Sequence, residues 1–187
     1  NVTGVQTVLF RSGKSGSTGR STGPHGHIYV KDLGTGQYID PSTIRSPLMG
    51  IRIGENRTPA IIKDSAGKLT LNPQAGITVT SKFGPRSGRE HQGEDWGLPE
   101  GTPIYFEGAG TYKPLSNQGG YGNLATFKTG DNKYEIGIGH MQSLGKEGVV
   151  AGATQPTQQP SSDSNAISFL ADLLRPKEEK QPSLTEI

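Results

Sequence analysis

Apolar and polar positions alternate along this chain only over short stretches, a pattern that predicts strands joined by turns rather than long helices. Residues 5–10 (Val-Gln-Thr-Val-Leu-Phe) alternate as a strand, and a loop rich in Gly, Ser and Thr follows from Ser12 to Gly23. The pattern resumes from His27 to Lys31, with Ile28 and Val30 on one face. His25 and His27 share the opposite face, because side chains alternate along a strand. Weaker strand patterns occupy 50–53, 60–63 and 68–71, and a clearer one occupies 77–81. Residues 83–101 are rich in Gly, Pro and charge, so they are expected to form a loop that carries His91 and Asp95. Strands are predicted at 103–107 and 111–113. Segments 124–129 and 133–138 read as a hairpin across Gly130-Asp131-Asn132, with His140 at its exit.

Composition changes near Ala151. Gln, Pro, Ser and Thr dominate 154–164, the signature of a flexible linker. A short helix is expected at 165–174, capped by Ser164 or Asn165, with Ile167, Leu170 and Leu174 along one stripe. The expected organisation is a domain over 1–153 and a linker, helix and mobile tail over 154–187. The 28 glycines and 13 prolines among 187 residues reinforce the turn-rich reading. The net charge is +2 with Lys and Arg scattered, so no nucleic-acid partner is expected. No apolar run approaches the ~20 residues that span a bilayer. A chain that opens at Asn1 without Met or an apolar leader is expected to be a processed product or a piece of a longer protein.

There is no cysteine, so a transition-metal site must be built from His and carboxylate. All four histidines fall in three short segments: Gly23-Pro24-His25-Gly26-His27, His91-Gln92-Gly93-Glu94-Asp95 and Gly137-Ile138-Gly139-His140. A His-x-His pair on a strand places its imidazoles about 6.5–7 Å apart, too far for both to be ideal ligands of one ion. One can bind while the other faces the bound water or substrate. His91 and Asp95, four apart around Gly93, can converge on one ion. Each segment alone also has an ordinary reading: polar side chains on an exposed strand, a solvated loop His, or an Asp that shapes a turn.

Longer stretches carry a resemblance. The run from Val79 to Asp95, with Phe83-Gly84-Pro85-Arg86 inside it, and then Leu98-Pro99-Glu100-Gly101-Thr102-Pro103, resembles the opening of a lysostaphin-type zinc endopeptidase. Gly120-Tyr121-Gly122-Asn123 and Gly139-His140-Met141-Gln142-Ser143-Leu144 resemble its middle. Gly16 to His27, with Gly36 to Pro41 behind it, resembles its closing segment. The matched pieces span over half of the chain and hold every histidine. Their order differs, however: the His-x-His segment comes first here and last in the family. A circular permutation accounts for this, with residues 46–76 joining the family's original ends. A fragment of two tandem domains, or a site completed between two chains, are the rival accounts.

The resemblance implies a mainly β fold, an antiparallel sheet with long loops around a groove, and one zinc ion. It implies His27, His91 and Asp95 as ligands, with His25 and His140 as catalytic histidines, His25 preferred as base and His140 as oxyanion partner. Arg86, Tyr121 and Asn123 match positions near the substrate. Two departures stand out: Gly26 where the family usually has Leu, a loss of core packing, and Ile138 where Tyr is common, a hydroxyl missing near the substrate. The implied activity is hydrolysis of peptide bonds in peptidoglycan stem peptides or cross-bridges. A non-catalytic wall-binding or structural module with the same fold is the alternative. An extracellular, periplasmic or virion-associated setting is expected, and in a phage tail or virion the C-terminal segment would meet other virion proteins.

Overall fold

In the computed structural model the described residues are 9–150, Ser87 excepted. The expected linker, helix 165–174 and tail lie outside the described residues, as do strand residues 5–8. What is described is mainly β, with antiparallel strands and three short 3-10 turns. Among the described residues no helix is long and apolar enough to cross a membrane.

An eight-stranded sheet carries His25 and His27. Its order is Gly148–Val150, Gly110–Leu115, Leu124–Thr129, Tyr134–Gly139, His25–Asp32, Glu94–Gly97 and Thr78–Ser81, with Tyr38–Ile39 paired to the far half of His25–Asp32. A five-stranded sheet runs Ser143–Leu144, Leu9–Lys14, Pro103–Glu107, Ile51–Ile53 and Thr58–Pro59. Both feed one apolar core through the period-two pattern. Ile28 and Val30, Ile136 and Ile138, and Phe127 enter from the larger sheet; Ile51, Ile53, Ile104 and Phe106 enter from the smaller. Phe106 stacks on Phe127 with ring centroids 4.8 Å apart and planes 16° from parallel. Full burial of a side chain of this kind is worth about 1.5–3 kcal/mol.

Two segments differ from expectation, and a third carries more of the core than was expected of it. The first described strand runs on to Lys14, through Ser12, where the loop was expected to begin. Ser12 is buried, and its hydroxyl donates to the Ile104 carbonyl at 2.7 Å, which removes the cost of placing it there. Residues 83–101 are not one loop: they contain strands Gly84–Arg86, Arg89–His91 and Glu94–Gly97. Glu94–Gly97 has a partner on both edges, His25–Ile28 on one and Thr78–Ser81 on the other, and this pairing overrides its polar composition. Finally, 46–76 is more than a connection. Its strands Ile51–Ile53, Ile61–Lys63 and Leu69–Leu71 form where the weak patterns lie, and Leu48, Ile51, Ile53, Ala60 and Ile61 are core residues.

Candidate metal centre

His27 and Asp95 face each other directly across adjacent strands, so their side chains rise on the same face of the sheet. His91 arrives from the neighbouring hairpin, opposite Gly84. His27 Nδ1 lies 2.9 Å from Asp95 Oδ1; His91 Nε2 lies 3.0 Å from Asp95 Oδ1 and 3.0 Å from His27 Nδ1. All three residues are buried, and together they could hold a metal ion. A tetrahedral ion with bonds of about 2.1 Å keeps its ligand atoms roughly 3.4 Å apart, close to this triangle. The three donors come from one chain, so the site needs no second copy.

The hydrogen bonding shows why a cation suits this point. His91 Nδ1 is 2.7 Å from the Lys82 carbonyl, which can only accept. The neutral ring therefore carries its proton on Nδ1 and turns the Nε2 lone pair inward. Asp95 Oδ1 adds a second inward lone pair. His27 Nε2 is buried without a hydrogen-bond partner. Either tautomer of His27 leaves that atom unsatisfied, but a proton on Nε2 turns a third lone pair toward the same point. A cation there satisfies all three.

Surrounding groups hold the triangle in place. A Cβ added at Gly93 would lie 2.6 Å from His27 Cε1 and Nε2 and from the Ile28 carbonyl oxygen, so only glycine lets this chain pass the ring. Arg86 donates to Asp95 Oδ2 at 2.6 Å and also to the Ser81 hydroxyl, which leaves Oδ1 free for the centre. The same Arg86 nitrogen is 2.9 and 3.0 Å from the two nitrogens of His91, a nearly equal spacing that puts it against the ring face. Burial alone would raise the Asp95 carboxyl, but in the metal-free tautomer with the proton on His27 Nδ1, hydrogen bonds from His27 and Arg86 hold it well below the usual carboxylate range. Burial lowers His91 despite its bond to the Lys82 carbonyl, which favours the neutral ring.

A second pair of rings stands beside the triangle. His25 Nδ1 donates to the Gly23 carbonyl at 2.8 Å, and His140 Nδ1 donates to the Thr18 carbonyl at 2.7 Å. In the neutral form each ring therefore presents a bare Nε2, and their centroids are 4.5 Å apart. His25 Nε2 is 3.8 Å from Asp95 Oδ1, beside the triangle and outside it, as the His-x-His spacing predicts. His140 takes a left-handed backbone (φ 62°) just past strand Tyr134–Gly139, and its amide donates to the Tyr121 carbonyl. Left-handed backbone is uncommon for a residue other than glycine and is concentrated at functional sites. Burial lowers the His140 pKa, which favours its neutral form.

These rings open into a groove of about 430 Å³ that Arg20, Arg86, Arg89, Gln118 and Tyr121 also line. The Tyr121 ring lies 5.3 Å from that of His27, and burial pushes its hydroxyl up to about 12. Asn123 lies off the groove. Its side-chain amide donates to the Met141 carbonyl and its backbone N–H to the Thr18 hydroxyl, so it knits loops together. Ile138 is fully buried among core residues on the face away from the groove, so strand parity places a side chain at 138 far from any hydroxyl role. Gly26 does face the core, against Ile138 and Ile28. The backbone carbonyls that fix the three tautomers, and the buried Glu94 behind Asp95, left no mark in the sequence pattern. No known family model matches the chain, and no curated protein or solved structure is significantly similar to it.

Proposed function

We propose that this chain is a zinc-dependent endopeptidase that hydrolyses peptide bonds in the stem peptides or cross-bridges of bacterial peptidoglycan. One observation carries the reading: His27 Nδ1, His91 Nε2 and Asp95 Oδ1 converge at the floor of an open groove, with His25 and His140 beside them. These are the residues that the resemblance to lysostaphin-type peptidases implies. Circular permutation is supported by the same geometry. The segments that the family places at opposite ends of its chain lie in adjacent paired strands here, and residues 46–76 are built into the core. Lys14 pairs with Ser143, so the two ends of the described domain are neighbours.

Zinc at the triangle would polarise a peptide carbonyl and bring the pKa of its water to about 7. The chain's own contribution is proton handling and positioning. With Nδ1 donating to a backbone carbonyl, the neutral form of either His25 or His140 offers a bare Nε2 in the groove that can accept a proton. The ring that has taken the proton then presents an N–H, suited to a developing negative charge or to the departing amine. His25, nearer the Asp95 carboxylate, is the preferred acceptor. Arg86 keeps Asp95 ionised and oriented.

The test is release of amine groups from purified sacculi, with metal content measured on the same preparation. About one zinc per chain is expected, with activity lost on chelation and restored by zinc. His91→Ala should lower activity by more than the roughly 10–100-fold that outer-shell changes cost at metal sites, and should lose stoichiometric metal. A fully active His91→Ala protein would reject the site. A wall-binding module without activity would instead bind sacculi, hold little metal and release nothing.

A further inference from the structure

The hairpin that delivers His91 contains an unfavourable pairing. Arg86 and Arg89 are direct partners across its two strands. Like charges opposed in this way reduce stability, so the arrangement calls for an anion. Asp95 answers Arg86 through the 2.6 Å contact. Nothing answers Arg89: among the described residues its side chain has no ion pair or hydrogen bond, and neither does that of Arg20, in the segment that precedes His25. Both are exposed, and both line the groove that contains the metal triangle. Glu90 also lines it but pairs with neither. The groove therefore holds two guanidinium groups that no other described residue neutralises.

We propose that Arg89 and Arg20 form a subsite for a carboxylate of the bound peptide, so that the chain prefers a peptide with a free acidic side chain in the groove. A guanidinium fork matches a carboxylate with two parallel N–H···O bonds, which a neutral amide cannot reproduce. The anion belongs to the peptide being cut, because the arginines and the metal ligands share one groove. This inference rests on the peptidase reading and names its substrate class.

The experiment uses the zinc-loaded full chain and two synthetic peptides that differ only in one side chain, Glu against Gln. It measures kcat/KM, together with equilibrium binding of non-hydrolysable versions of both peptides. The Glu peptide should be favoured roughly fivefold at low salt, with the preference shrinking as salt rises, as for exposed charge pairs. Arg89→Gln or Arg20→Gln should each reduce the ratio, the double variant should bring it near one, and Arg89→Glu should invert it. Equal binding of the two peptides by the unaltered chain, or a ratio untouched by the double variant, overturns the subsite. If zinc-loaded protein cuts neither peptide nor sacculi, the peptidase reading fails, yet the binding ratio still decides whether the arginines select a carboxylate.

Discussion

Gly26 and Gly93 both adjoin His27, one in sequence and one in space, yet an added methyl group meets different surroundings at each. At Gly26 its nearest neighbours are Ile138 Cγ2 and Ile28 Cδ1, both at 3.4 Å, an ordinary contact in the core. Gly26→Ala should therefore raise stability by about 0.4–1 kcal/mol, largely by restricting the unfolded chain, and leave metal affinity unchanged. At Gly93 the methyl would lie 2.6 Å from the His27 ring and the Ile28 carbonyl, and backbone cannot yield cheaply. Gly93→Ala should cost about 1–3 kcal/mol and weaken metal binding as His27 is displaced. Urea unfolding and competition with a chelator measure both; effects of the same sign would show that the seat of His27 does not limit the centre. The His25/His27 and His91/Asp95 spacings could be read from the sequence because short-range motifs fix them, whereas His140 drew its weight from the resemblance alone. Asn123 could not be placed in the same way. Whether its amide faces the groove or the Met141 carbonyl depends on how two distant loops meet.

At the scale of the strand, Glu94–Gly97 shows what local patterning misses. Glu94 alternates with Asp95, so it turns into the core, where it is almost fully buried. Arg45 grips both of its oxygens, at 2.9 and 3.1 Å, and Trp96 Nε1 donates to Oε1 at 2.6 Å. Removing Arg45 leaves a buried carboxylate uncompensated. Arg45→Met should cost about 3–5 kcal/mol, and adding Glu94→Leu should recover much of that loss. Denaturant unfolding of the single and double variants checks it; equal destabilisation by both would mean that the pair is not the source. Two charged residues flanked by Gly93 and Gly97 read as a solvated loop because the answering charge lies 49 positions away. Strands such as Tyr134–Gly139, whose hairpin partner Leu124–Thr129 is close in sequence and whose core residues are branched and apolar, were legible without that information.

For the molecule as a whole, acid should act in one direction. Burial lowers His91 and His140, and hydrogen bonds hold Asp95 well below its ordinary range. In the unfolded chain histidine titrates near ~6.5 and aspartate near ~3.9. A depressed folded value means that the unfolded state binds more protons, so the stabilisation is complete above the unfolded value and lost as pH falls. Metal-free protein should lose stability below about pH 6.5, and again below about pH 4 as Asp95 contributes. Thermal unfolding of chelated protein across pH 8 to 3 measures this, and a melting temperature that rises between pH 7 and 5 would contradict it. The sequence left open whether the rearranged segments close one site within one chain. Only strand register decides that, because it pairs residues 68 positions apart. The same register has a practical result. Around His27, strand His25–Asp32 is paired with Tyr134–Gly139 on one edge and Glu94–Gly97 on the other, so backbone pairing seats this candidate ligand. Unlike a zinc finger, whose fold waits for its metal, a chain whose candidate ligands are seated by paired strands is expected to stay folded when a chelator is added.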